Sequence, residues 1–174
     1  LAGCPDVVVV VLTGAGRAFS AGVDLKALGA RKLEQGKVGA ILDVPARAVT
    51  AAIAGLDKIV IAKVNGHCFT GALELALACD LMAVAAEATI GDTHAKFGIR
   101  PTWGMSARLP RAVGPQAARL LSFTARSIKG EDAMRLGMAA LCTPRAELDA
   151  AVDALVAEIT ANSATALAAY KDLY

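Results

Sequence analysis

The feature that most constrains this chain is an unbroken apolar run that ends in a glycine-rich turn. The run, VVVVVL, covers residues 7–12, and TGAG follows directly at 13–16. Six consecutive apolar residues are typical of a strand buried on both faces, as in a parallel sheet. Another glycine segment, GVDL, lies close behind at 22–25. Glycines let backbone N–H groups face a ligand directly, for example a carbonyl oxygen that becomes negative during reaction.

Two familiar glycine loops are excluded by the residues that are present. A dinucleotide-binding fingerprint needs a glycine at position 19, where Phe19 stands. A phosphate-binding P-loop needs Gly-Lys-Ser/Thr, and this chain does not contain that sequence. A plain turn at the exit of the strand also accounts for Gly14 and Gly16, and that interpretation stays open.

The middle of the chain repeats the pattern and adds a helix. The segment IVIAKV at 59–64 is a second buried-strand pattern, and LMAV at 81–84 is a third. A glycine turn and an apolar helix between them predict a βαβ unit. Thr70 is the expected N-cap of this helix, so Gly71 lies in its first turn, where free N–H groups carry the positive end of the helix dipole. Glu74 follows one turn later among apolar residues, which favours a functional carboxylate over a solvated one.

These segments resemble the signatures of a known family. GAGRAFSAGVDLK at 14–26 resembles the first signature of the crotonase superfamily, which includes enoyl-CoA hydratases and isomerases, and KVNGHCFTGALELALACD at 63–80 resembles the second. Further matches lie at 97–101, 108–114, 118–124 and 133–138, so the resemblance covers nearly the whole chain. It implies an α/β fold, a crotonase-like spiral of ββα repeats with a helical C-terminal part. We expect one domain over 1–174, with its core in 1–145 and helices in 146–174. The family's full domain has further elements before Leu1 and after Tyr174.

The resemblance also implies an acyl-CoA site. The backbone N–H groups of Val23 and Gly71 are expected to form an oxyanion hole for a thioester carbonyl. The residues expected to bind CoA are Ala21, Gly22, Val23, Asp24, Leu25, Lys26 and Gly71. Lys26 is expected near the CoA phosphates, although an ordinary surface lysine remains an alternative. Because CoA is part of the substrate, no separate cofactor is expected.

The acid–base residues depart from the family pattern. Hydratases of the family use two glutamates, and Glu74 matches the first, but His94 stands where the second is expected. A Glu–His pair can still add water if Glu74 deprotonates it and His94 delivers a proton to the α-carbon or holds the same water. A structural His94 is the alternative. Asp92 can orient His94, but on an extended segment it points to the opposite face. Thr102 replaces a carboxylate of some isomerase and dehalogenase relatives.

The sequence therefore predicts a hydro-lyase, an enoyl-CoA hydratase of fatty acid metabolism, with Glu74, His94, Val23 and Gly71 in the catalytic machinery. Two alternatives remain. One is an enoyl-CoA isomerase or another enzyme of acyl-CoA enolate chemistry with the same oxyanion hole. The other is an acyl-CoA-binding paralogue that has lost turnover.

Composition narrows the partners. The net charge of the 174 residues is only +2, with both signs interspersed, so no nucleic acid or membrane partner is expected. The four cysteines form no C-x-x-C pair, which favours a reducing, cytoplasmic compartment. The two histidines, His67 and His94, show no metal-site spacing. The family and the apolar faces of the late helices, 147–160 and 163–173, predict a homotrimer or a hexamer.

Overall fold

Parallel strands organise the described part of the chain. A computed structural model describes residues 3–24, 26 and 34–174. The strands are β1 (Val9–Thr13), β2 (Ala18–Ser20), β3 (Ile59–Val64), β4 (His67–Phe69), β5 (Leu81–Ala85), β6 (Thr89–Gly91), β7 (Ser127–Lys129) and β8 (Leu141–Thr143). The α-helices are α1 (Ala40–Ala54), α2 (Gly71–Ala76), α3 (Met105–Val113), α4 (Pro115–Thr124), α5 (Gly130–Arg135), α6 (Leu148–Thr160) and α7 (Ala164–Leu173).

The strands form two four-stranded sheets. The first has the order β1-β3-β5-β8, and all of its neighbouring strands are parallel. The second has the order β2-β4-β6-β7, in which only the β6–β7 pair is antiparallel. Along the chain, β1–β2, β3–β4 and β5–β6 each place one strand in each sheet before the chain enters a helical segment. This is the expected α/β spiral of ββα repeats.

The second sheet brings three loops to one edge. Strands β2, β4 and β6 are parallel neighbours, so their carboxyl ends lie side by side. Residue 21 follows β2, Thr70 follows β4 and Asp92 follows β6. The Thr70 N–H donates to the carbonyl of Gly91 at 3.0 Å, which ties two of these loops together. Segments that are far apart in the sequence therefore meet at one edge.

The burial of the strands agrees with the sequence-based prediction for β3 and differs from it for β1. Strand β3 lies inside its sheet, and Ile61, Ala62 and Val64 are fully buried. The first apolar run differs from the prediction of burial on both faces, because Val11 of β1 is 38% exposed. Among the described strands, β1 lies at the edge of its sheet. The three-residue strands β2, β4 and β7 and helix α3 were not identified from residue patterns. Three residues are too few for a period of two to be recognisable.

Proline and glycine stand at several helix positions. Pro45 lies inside α1 without ending it. The helix predicted after Thr70 ends as α2 at Ala76. Helix α4 begins with Pro115, and Gly137 follows α5 at a φ of 81°. Among the described residues, no helix combines the length and apolarity needed to cross a membrane.

Helix α6 corrects one argument for assembly. Leu148, Leu155 and Ile159 were expected to exceed what one small core can cover. In the structure Leu148 is 1% exposed, and Leu155 and Ile159 pack against the core. The apolar face of α6 is therefore covered by its own chain, whereas Tyr170 of α7 is 57% exposed.

Lys171 fastens α7 to the first sheet. Its Nζ atom donates to Asp80 Oδ2 at 2.7 Å and to the carbonyls of Ile53 and Lys58 at 2.8 and 2.9 Å. The lysine side chain is 6% exposed and the Asp80 side chain 24%. Asp80 Oδ2 also accepts the N–H of Val60. One ammonium group thus satisfies acceptors from three parts of the chain.

We expect Lys171→Met to lower the free energy of unfolding by about 2–3 kcal/mol, because a mostly buried carboxylate loses its cation. The matched control is Lys63→Met, since Lys63 pairs with Asp149, whose side chain is 82% exposed. That variant should lose less than about 1 kcal/mol. Urea unfolding followed by the fluorescence of Trp103, the single tryptophan, measures both. Equal losses would contradict the assignment.

Candidate active site

A pocket of about 700 Å³ lies at the edge where the three loops meet. Of the predicted site residues, Ala21, Gly22, Val23, Asp24, Lys26, Gly71, Glu74 and His94 line it. Leu25, also predicted to bind CoA, lies outside the described residues. Asn65 Nδ2 donates to the carbonyls of Gly14 and Gly16, and neither glycine is among the described lining residues. Those two glycines therefore serve the turn after β1.

Val23 and Gly71, the two predicted oxyanion-hole residues, line this pocket from two loops. No hydrogen bond within the described ranges uses either N–H as a donor. The loops pack closely, because a Cβ built on Gly22 lies 3.4 Å from the Gly71 nitrogen and 2.3 Å from Thr70 Oγ1. Gly22 has a φ of +93°, a conformation that a side chain disfavours. A glycine is needed there for the two loops to approach.

Thr70 joins the two loops in a strained conformation. Its φ of 52° and ψ of −118° are rare for a residue with a Cβ. It occupies the predicted N-cap position of α2, but its side chain caps no helical N–H. Instead Thr70 Oγ1 donates to the carbonyl of Ala21 at 3.4 Å. The side chain therefore holds the β2 loop against the start of α2.

Glu74 is a buried carboxylate with one side fixed. The residue is 1% exposed. Its Oε1 atom accepts the backbone N–H groups of Trp103 and Met105 at 2.8 and 3.0 Å. Oε2 faces His94 Nε2 at 3.5 Å. Because Oε1 is occupied by two donors, Oε2 is the oxygen positioned for chemistry.

His94 is held from behind by Asp92. His94 Nδ1 lies 2.6 Å from Asp92 Oδ1, and Ser122 Oγ donates to Asp92 Oδ2 at 2.6 Å. The expectation that Asp92 points to the opposite face was wrong. The chain turns into a 3₁₀ helix at His94–Phe97, and the His94 N–H donates to Asp92 Oδ1. The turn at this point replaces the extended backbone that would place the two side chains on opposite faces.

The two groups of the His94–Asp92 pair shift each other's pKa. Burial alone lowers the pKa of His94, but its hydrogen bonds to Asp92 and Glu74 and their charges raise it to about 9. Burial alone raises the pKa of Asp92, but hydrogen bonds from His94 and Ser122 and the charge of His94 hold it below its usual value. The favoured form of His94 at neutral pH is therefore the imidazolium.

Sequence reasoning missed several groups around the pocket. The backbone donors of Trp103 and Met105 had no signal, since any residue supplies an N–H. Ser122 on α4 looked like an ordinary helical serine. Lys96 and Arg100 also line the pocket, together with Lys26.

The remaining predicted features are placed as follows. His67 is exposed and stacks on Phe69 at 5.7 Å between ring centroids. Thr102 Oγ1 donates to Asp43 Oδ1. Cys4, Cys68, Cys79 and Cys142 are free thiols. The described residues contain no cluster of three or more His, Cys, Asp or Glu side chains that could hold a metal ion.

Known proteins share this sequence and architecture. The family model for enoyl-CoA hydratase/isomerase matches residues 2–174. A probable peroxisomal enoyl-CoA hydratase 1 from Arabidopsis thaliana is 40% identical over 132 residues, 76% of this chain and 48% of that protein. A carnitinyl-CoA dehydratase from Salmonella enteritidis is 34% identical over 171 residues, 98% of this chain and 64% of that protein.

Solved structures agree. An enoyl-CoA hydratase from Bacillus anthracis superimposes with a TM-score of 0.91 at 32% identity, covering 98% of this chain and 66% of that one. The chain spans about half to two thirds of the length of the curated relatives named above. The family match over nearly the whole chain and the shared fold lead to one conclusion: the chain belongs to the enoyl-CoA hydratase/isomerase family of the crotonase superfamily.

Proposed function

We propose that this protein is an enoyl-CoA hydratase, which adds water across the 2,3 double bond of a 2-enoyl-CoA. The observation that carries the proposal is the 3.5 Å approach of Glu74 Oε2 to His94 Nε2. Both residues line one pocket with the amides of Val23 and Gly71. An acid–base pair beside two backbone donors is what conjugate addition to a thioester requires.

The oxyanion hole supplies the electrostatic part of the reaction. The thioester oxygen accepts the N–H groups of Val23 and Gly71, and it becomes negative when a nucleophile adds to the β-carbon. Gly71 is the first residue of α2, so the free N–H groups of that helix end add to the field. Removing one donor of this kind typically costs about 2.7–4 kcal/mol of transition-state stabilisation.

Water is held between the catalytic pair. A hydrogen-bonded water sits about 2.8 Å from each partner, and the 3.5 Å separation allows one water to contact both atoms. Glu74 Oε2 takes a proton from this water as its oxygen bonds to the β-carbon. The π electrons of the double bond move into the thioester as an enolate.

His94 completes the addition as the acid. Its raised pKa keeps Nε2 protonated at neutral pH, so Nε2 can give its proton to the α-carbon as the enolate collapses. Glu74 then carries the proton from water and His94 is neutral. Transfer of that proton from Oε2 to Nε2 restores the starting state. One water has been added and no proton is left over.

CoA binding rests on the cationic rim of the pocket. The exposed Lys26 has a backbone N–H that donates to Asp24 Oδ1 at 2.9 Å. We propose that residues 21–26 contact the CoA moiety and that Lys26 attracts its phosphates. CoA enters as part of the substrate, so the reaction uses no separate cofactor. The free thiols favour a reducing compartment such as the cytoplasm.

Glu74→Gln should reduce the hydration of crotonyl-CoA by about 10²- to 10⁴-fold, since the amide keeps an acceptor but loses the base. The matched control is Glu158→Gln on the exposed side of α6, which should keep wild-type activity. The loss of enoyl thioester absorbance measures both. Near-normal rates in Glu74→Gln would refute the mechanism. Double-bond migration without water addition by the wild type would favour an isomerase, and acyl-CoA binding without turnover a non-catalytic paralogue.

The pH dependence tests the charge of His94. If its imidazolium is the acid, kcat/KM falls as pH rises through about 9. Asp92→Asn removes a neighbouring negative charge and so lowers the pKa of His94, which moves this decline to lower pH. Asp153→Asn, on an exposed part of α6, should leave the profile unchanged. A rate that rises through pH 9 would show that the neutral imidazole is the active form.

We also propose that the protein assembles as a homotrimer or hexamer. The support now comes from α4, where Phe123 is 80% exposed and Leu120 48%, because α6 is covered by its own chain. Light scattering should give a trimeric or hexameric mass, and Phe123→Asp should lower it. Val44→Asp, a similar change at a 65% exposed site on α1, should not. A monomeric wild type would exclude the assembly. A lower mass in Val44→Asp but not in Phe123→Asp would place the interface at α1 instead.

A further inference from the structure

The side chain of Trp103 stands against the proposed oxyanion hole. A Cβ built on Gly71 lies 2.2 Å from Trp103 Cζ3, so the six-membered ring packs directly on the backbone of Gly71. The ring nitrogen Nε1 donates to Asp43 Oδ1 on α1 at 2.9 Å. The indole is therefore fixed at both of its ends.

Helix α1 holds the loop that carries this ring. Asp43 Oδ1 also accepts Thr102 Oγ1 at 2.6 Å, and Arg47 Nε donates to the carbonyl of Thr102 at 3.1 Å. The Trp103 N–H is one of the two donors to Glu74 Oε1. Displacing this loop would disturb Glu74, so the indole is a wall that a substrate cannot push aside freely.

A second, apolar pocket also borders Trp103. It measures about 360 Å³ and shares Gly22, Val23, Asp24, Gly71 and Trp103 with the catalytic pocket. Its remaining lining is mostly aliphatic and comes from α1 and α2: Leu42, Pro45, Ala46, Val49, Ala72 and Leu75. This lining suits a methylene chain.

We propose that Trp103, held by Asp43, is a partition that restricts the acyl chain to short lengths, and that the second pocket is an acyl-tail subsite which the indole closes off. This proposal rests on the proposed function, since it takes the thioester oxygen to lie at Gly71. Carbons beyond the β-carbon then start next to the indole face. A short acyl group ends before the partition, whereas a longer one meets it.

Another cavity offers a competing route. A pocket of about 500 Å³ lies behind His94 and Ile99 and is lined further by Pro101, Met105 and Leu109. Ile99 and His94 also line the catalytic pocket. If the tail leaves on that side, Ile99 is the barrier and Trp103 is not. Ile99→Ala therefore serves as the matched control for Trp103→Ala.

The test measures the binding of butyryl-CoA and decanoyl-CoA to the full chain by titration calorimetry. Saturated thioesters cannot be hydrated, so binding is independent of turnover. Each methylene moved from water into an apolar pocket favours binding about fourfold. Trp103→Ala should therefore raise the preference for decanoyl-CoA over butyryl-CoA at least about tenfold relative to wild type. Trp103→Phe, which keeps a ring at Gly71, should change it much less.

If Trp103→Ala does not fold, as judged by circular dichroism, substitutions of Asp43 test the partition independently. Asp43→Ala removes the acceptor of Trp103 Nε1 and should raise the decanoyl preference in the same direction. Asp43→Asn keeps an acceptor oxygen and should resemble wild type. An unchanged preference in a folded Trp103→Ala, or a larger rise in Ile99→Ala, would overturn the partition.

The outcomes separate this inference from the proposed function. Turnover of crotonyl-CoA by wild type with no change of preference in Trp103→Ala would overturn the partition alone. A changed preference for decanoyl-CoA over butyryl-CoA in Trp103→Ala, without turnover of any enoyl-CoA by the wild type, would overturn the hydratase proposal. It would still support the partition. Failure of the wild type to bind either thioester would overturn both.

Discussion

The parallel pairing of β2, β4 and β6 is the constraint on which the site depends. Parallel strands place their carboxyl ends at one edge, and each of the three is followed by a segment that lines the candidate site. The amide of Val23, the amide of Gly71 with Glu74, and the Asp92–His94 pair thus meet, although more than seventy positions separate the first from the last. The close approach at Gly22 and the strained backbone of Thr70 tighten this arrangement.

A continuous row of interacting polar side chains crosses the largely apolar interior at the candidate site. It runs from Ser122 through Asp92 and His94 to Glu74. Asp92 is hydrogen-bonded to Ser122 and His94, and Glu74 Oε1 accepts the N–H groups of Trp103 and Met105. These hydrogen bonds offset the cost of burying the two side chains. The histidine at the position of the family's second glutamate is therefore supported by its own carboxylate.

The same loop that fixes Glu74 also carries the indole of Trp103. The backbone N–H of Trp103 donates to Glu74, and its side chain packs on Gly71 and donates to Asp43. The positions of the proposed base, Glu74, and of the proposed barrier to long acyl chains, Trp103, therefore depend on the same loop. A change in α1 can alter both the width of the site and the placement of its base.

The sequence by itself determined the family and the spiral of ββα repeats, through its motifs. It also determined the long elements β3 and α6, because burial and periodicity are local properties of consecutive residues. It also identified Glu74 and His94 as a pair. Only the tertiary structure decided that Asp92 turns toward His94 and that α6 covers the core. Backbone donors such as those at Trp103 and Met105 leave no trace in residue identity, since every residue except proline has an N–H. Their role arises only when folding brings distant segments together.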